Sequence, residues 1–176
     1  MKRFTAGLLA CSVASTAFAW SDTERGLRDS TTTALIIQMQ SEFRKCFEIP
    51  WVYRYDCYDD AYFSSARRVA DNPDYDLVED TLAEVGDKIQ AVVRANADPV
   101  KPPLRKGFKS YQPIKEEARA TAKAQVADAI EEAQTVLLRA PDDNGAHFSR
   151  IAQALESNKV LLRAALDWIG RLLRFA

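Results

Sequence analysis

The sequence predicts an all-α protein, a single bundle of four to five helices with a disulfide-stapled helical hairpin and a Pro/Lys-rich connector before the last two helices. Three observations lead there. Apolar residues recur at separations of three and four over long windows, the helical period. No alternating strand pattern of useful length and no internal repeat interrupts them. Two cysteines, Cys46 and Cys57, bracket Pro50 inside the aromatic-dense stretch CFEIPWVYRYDCYDDAYF. Phe43, Phe47, Trp51, Tyr53, Tyr55, Tyr58, Tyr62 and Phe63 crowd this corner. Each buries roughly 150 to 250 Å² when it goes inside, so the corner is expected to nucleate much of the core.

Residues 1–19 read as a cleavable signal peptide: Lys2 and Arg3, an apolar run from Phe4, and Ala17-Phe18-Ala19 before Trp20. A competing reading takes Leu8-Leu9-Ala10-Cys11 as a lipoprotein cleavage site, with an apolar stretch at the short limit. The remaining chain, 20–176, is expected to be one helical domain, periplasmic or secreted. An oxidising compartment lets Cys46 and Cys57 persist as a disulfide. A redox pair is the weaker reading, because the two lack Cys-x-x-Cys spacing.

Residues 20–29 are polar, with Ser21-x-x-Glu24 as a capping pattern and Gly26 as an interruption, and read as a flexible lead-in. A first helix is expected from about Asp29 to Cys46 on Leu35, Ile36, Met39, Phe43 and Cys46, with Arg44 and Lys45 suiting its dipole. A second runs from about Tyr53 to Ala70, ended by Asp71-Asn72-Pro73-Asp74. Asp76 with Glu79 is expected to cap a third, whose seam is Tyr75, Val78, Leu82, Val85, Ile89 and Val92. Residues 97–113 hold Pro99, Pro102, Pro103, Pro113, Lys101, Arg105, Lys106 and Lys109, and read as an extended basic connector. Pro113 is expected to open the fourth helix, which continues to about Arg139 on Ile114, Ala118, Ala122, Val126, Ala129, Ile130, Ala133, Val136 and Leu137. After the turn Pro141-Asp142-Asp143-Asn144-Gly145, the last helix carries Phe148, Ile151, Leu155, Asn158, Leu162, Ala165, Ile169 and Leu172.

Asn158 is the one polar residue on that last seam, a candidate polar core position. It either fixes helix register, contacts a ligand, or sits half in water at the seam's edge. Trp51, Tyr53, Arg54 and Tyr55 form a candidate binding surface at the hairpin tip, because Tyr, Trp and Arg dominate binding hot spots, although core packing claims most such aromatics. His147 is the only histidine, so a metal or haem centre lacks ligands even with Met39 counted, and no cofactor is expected. The run Asp71 to Asp76 fails the calcium-loop pattern for want of its central Gly and terminal Glu.

Nucleophile elbow, zincin and phosphate-loop motifs are all absent, so no catalytic residue is expected and the chain reads as non-enzymatic. Loss of Lys2 and Arg3 turns 24 basic against 25 acidic residues into 22 against 25, which gives no attraction to nucleic acid. In Val160 to Ala176 the polar residues Arg163, Asp167, Arg171 and Arg174 share one narrow face, with Trp168 and Phe175 elsewhere. That segment is expected to dock on the bundle in preference to a membrane surface. The functional expectation is an exported helical bundle that binds a protein or envelope component. The alternatives are a small-ligand carrier with an interhelical pocket near Asn158 and the aromatic corner, and an envelope enzyme without a recognisable motif.

Overall fold

The computed structural model describes residues 26–140 and 145–172, with side chains through residue 164. The signal peptide, Cys11, the capping pattern at Ser21 and the turn from Pro141 to Asn144 lie outside the described residues.

Among the described residues five α-helices follow one another: α1 Asp29–Lys45, α2 Arg54–Arg67, α3 Asp76–Ala95, α4 Arg119–Leu138 and α5 Gly145–Leu172. Each packs on the next, and α5 returns to pack on α1, which closes the ring around one core. The predicted seams supply that core. Leu35, Met39 and Phe43 of α1 are buried with Val78, Leu82, Val85 and Ile89 of α3, Val126 and Ile130 of α4, and Ile151 and Leu155 of α5. Among the described side chains two predicted seam positions depart from it: Val136 is 41 % exposed, and Ile36 is only partly buried. Ala165, Ile169 and Leu172, and with them the expected docking of the C-terminal segment, lie outside the described side chains.

Element ends follow local chemistry. Arg44 and Lys45 occupy the last turn of α1, where cations suit exposed carbonyls. Asn72 Oδ1 accepts from Asp74 N at 3.1 Å and starts a 3₁₀ turn, Pro73–Tyr75, that leads into α3. The expected capping box does not form: Asp76 is the first residue of α3, and its N-cap, Tyr75, makes no side-chain cap bond. The tyrosine is drawn elsewhere. Tyr75 Oη accepts from Arg28 N and donates to Arg28 O, and it shares a 2.7 Å hydrogen bond with Thr32 Oγ1. With its one proton given to Arg28 O, Tyr75 must accept from Thr32, so Thr32 accepts from His147 Nδ1–H at 2.8 Å. The sole histidine is thereby a structural tie between the starts of α1, α3 and α5.

The connector corrects the sequence reading most. Residues Leu104–Lys106 (β1) and Lys109–Tyr111 (β2) pair antiparallel, with Leu104 opposite Tyr111 and Lys106 opposite Lys109. Gly107 has φ 63° and no described non-glycine residue has positive φ, so the two-residue loop Gly107-Phe108 is of the type that needs glycine first. Pro113 does not open a helix. Its carbonyl accepts from Asp98 N at 2.9 Å, and Lys115 N donates to Asn96 O at 2.9 Å, which closes the base of the connector in extended backbone. α4 therefore begins at Arg119, after a 3₁₀ turn over Glu116–Ala118.

Candidate functional site

The aromatic corner is assembled from the end of α1, two 3₁₀ turns, Cys46–Glu48 and Trp51–Tyr53, and the start of α2. The Cys46–Cys57 disulfide joins them, with Cα atoms 5.6 Å apart. Phe43 stacks on Tyr58 at 4.3 Å between ring centroids and meets Phe47 and Tyr62 edge-on, so this cluster is core.

The four surface candidates are brought together, but their side chains are largely engaged by the protein itself. Tyr55 is buried and donates from Oη to Arg119 O at 3.3 Å. Arg54 lies over the Phe47 ring and donates to the carbonyls of Ile49 and Phe47, locking the turn that contains Pro50. Tyr53 Oη donates to Pro102 O at 3.0 Å, which pins the connector. Trp51 is half-buried beneath the Arg119 guanidinium, 4.6 Å from its ring centroid. The Nε and one terminal nitrogen of that guanidinium are enclosed without a hydrogen-bond partner, so the indole face is what they meet.

Asn158 lies apart from this surface. It is fully buried, not at a half-wet edge: the seam of α5 faces the centre of the ring, and Nδ2 donates to Tyr62 Oη at 3.4 Å while Oδ1 has no partner.

Beside the corner the structure forms a cleft of about 460 Å³ lined by Glu42, Lys45, Glu48, Ile49, Cys57, Asp60, Lys106, Lys109 and Tyr111. Strand alternation explains its far wall. Leu104, Lys106, Lys109 and Tyr111 share one face of the hairpin, and that face turns inward, with Tyr111 buried and Leu104 packed on the core. The two lysines then meet carboxylates of the bundle: Lys106 pairs with Glu48 at 2.9 Å and Lys109 pairs with Asp60. The hydrogen bond from Lys106 holds the Glu48 carboxyl below its usual range, and the bond to Asp60 raises the Lys109 ammonium above its own. The base of the hairpin is held by backbone: Gln112 N donates to Asp56 at 2.8 Å and Ile114 N to Val52 O at 2.9 Å.

Behind this wall α2 places three carboxylates together, Asp56, Asp59 and Asp60. Asp56 is raised by burial against the opposing pull of the Gln112 N–H. Asp59 is 6 % exposed, and burial first, then the charges of Asp56 and Asp60, push it up to about 7. Among the described residues no group of three or more His, Cys, Asp and Glu has the arrangement to hold a metal ion.

The outer side of the hairpin is left open. Arg105 is exposed and makes no ion pair with a described residue. Phe108, at the turn, has a relative exposure of 111 %, and Val100 earlier in the connector 89 %. Sequence reasoning placed the candidate binding surface at Trp51 to Tyr55 and missed this one. The signal was Gly107 between two cation-bearing triplets that end in Leu104 and Tyr111, too short to show as alternation. Compared with protein-family models, curated proteins and solved structures, the chain matches none.

Proposed function

We propose that this is an exported, non-enzymatic binding protein of the cell envelope, and that it engages its partner through the connector hairpin and the face around it. One observation carries the reading: a fully exposed phenylalanine at the apex of a hairpin whose base is bolted to the core. A single exposed apolar side chain is ordinary on a protein surface; what supports the reading is that this one sits at the apex of an anchored turn with cations on both sides, a combination of aromatic and basic groups that suits recognition. The disulfide supports an oxidising compartment.

A photo-crosslinking residue at position 108 tests the proposal in cells. Specific adducts that are lost when the residue is moved to exposed Ser157 on α5 are expected. Equal labelling from both positions refutes the hairpin as the binding element.

The cleft favours one second reading, capture of a small ligand carrying both charges, because three lysines and three carboxylates line it. Isothermal titration with zwitterionic amino acids and short peptides checks this, and heat signals that persist after Lys106→Ala would dismiss it.

A further inference from the structure

We infer that the hairpin tip is a wedge for an anionic phospholipid surface: Phe108 enters the interfacial layer while Arg105, Lys106 and Lys109 meet lipid phosphates. This rests on the proposal that the hairpin is the binding element, and it names the partner.

Four features point to lipid over a protein partner. The first is shape. A two-residue turn presents one side chain on a convex tip, with residues 105–110 all exposed around it. A protein hot spot needs a surrounding rim that excludes water, and the tip has none, whereas a bilayer interface closes around any protruding aromatic. The second is charge. The five residues from Arg105 to Lys109 hold three cations and no acid. Arg105 makes no ion pair with a described residue, Lys106 is tied to Glu48 through an exposed pair of little net worth, and Lys109 is tied to the partly exposed Asp60. Their four-carbon stems let both ammonium groups swing from the cleft to the tip without moving the backbone. The third is stiffness. Gly107 supplies the φ of 63° that a side-chain-bearing residue adopts with difficulty, and Tyr111, the Tyr53–Pro102 bond and the Ile114–Val52 bond fix the hairpin's base. The backbone that carries Phe108 is thus held out in advance, so binding orders only the two side-chain torsions of the phenylalanine. The fourth is the sharing of work along the two strands. Inward positions Leu104 and Tyr111 anchor the hairpin, so Phe108 contributes nothing to the core and is free for another role.

Vesicle flotation with the full mature chain decides the matter, using liposomes of phosphatidylglycerol with phosphatidylethanolamine against liposomes of phosphatidylcholine alone. Binding to the anionic vesicles is expected, weakened by raising salt from 50 to 500 mM because the Debye length shrinks severalfold. Phe108→Ser should weaken it about tenfold, the loss of most of one buried phenyl ring. Arg105→Glu should weaken it about fivefold or more, near the effect of one surface cation. Both variants should keep the parent's melting temperature, since neither side chain touches the core. Equal binding to both vesicle types, no binding to either, or anionic binding indifferent to both substitutions overturns the inference. A position-108 crosslinker that captures a protein while vesicles are ignored overturns the lipid assignment and leaves the hairpin-binding proposal standing. Vesicles ignored, together with no specific adduct of any kind at 108, remove both.

Discussion

Replacing Asp59 with Asn should change the pH dependence of stability more than any other single substitution on α2. The carboxyl is 6 % exposed and feels the charges of Asp56 and Asp60 on its own helix, with Arg94 of α3 as an opposing charge. Its folded-state value of about 7 lies above the ordinary 3.8, so the folded protein holds this proton more tightly than the unfolded chain does. Below about pH 4 both states are protonated and the full contribution is present; as pH rises towards 7 the unfolded chain ionises first and stability is lost. The interval corresponds to about 4 kcal/mol at most, at 1.36 kcal/mol per pH unit, against a total of about 5 to 15 kcal/mol for a domain of this kind. Asn is nearly isosteric with the protonated acid and cannot ionise, so Asp59→Asn removes this slope. Urea unfolding of parent and variant at half-unit steps from pH 4 to 8 measures it. The stability difference should move in the variant's favour by about 1 to 4 kcal/mol across that range. Taking the difference cancels carboxyls held low by partners, such as Glu48 and Glu156, whose contributions run the other way. A difference that stays constant with pH would refute the assignment of a buried, proton-holding Asp59.

Three other substitutions probe the bundle. Cys46→Ser should cost about 2 to 5 kcal/mol, the usual range for a native disulfide in a small exported domain, measured by the shift in denaturant midpoint. Non-reducing peptide mapping should find Cys46 joined to Cys57. Gly86→Ala places a Cβ 3.0 Å from the Phe63 ring, and the clash should cost about 1 to 3 kcal/mol despite the better helix propensity of alanine. Phe63→Leu in the same chain should recover part of that loss. Asn158→Ala leaves the fully buried Tyr62 hydroxyl without its partner and should cost about 1 to 3 kcal/mol, and Tyr62→Phe added to it should cost little more.

The seams were legible because burial and period coincide. Tyr75, Val78, Leu82, Val85, Ile89 and Val92 are all buried where their threes and fours place them. The staple was legible because only Cys46 and Cys57 lie outside the segment expected to be a signal peptide, and the pair brackets a proline turn whose ends the structure brings to a Cα separation of 5.6 Å. Capping was misread because a tertiary contact outbid a local one: Tyr75 is taken up by Arg28 and Thr32, residues more than forty positions away. The hairpin was missed for a related reason. Its strands hold three residues each, short of any periodic signal, and its proline-rich flanks read as unstructured chain. Asn158 showed as polar on an apolar seam, but its depth depends on α5 facing both α1 and α4, which no single helix can reveal.

Residues 105–109 are favoured over Trp51–Tyr55 as the proposed binding surface by the same logic that built the core. Aromatic residues next to a staple have many neighbours within reach, so Tyr55 packs inward, Trp51 takes a guanidinium on its face, and Tyr53 turns to the connector. Each contact that stabilises the corner removes a side chain from recognition. The connector has the opposite balance. Two three-residue strands cannot hold themselves in water, and they persist because Leu104, Tyr111 and Ile114 sink into the bundle and Tyr53 holds Pro102. Once those anchors are in place, strand alternation forces Arg105 outward, and the glycine-led turn leaves Phe108 with no neighbour on its own chain. Under the proposed function the corner and the hairpin are one device in two parts: the aromatics hold up the segment proposed to bind.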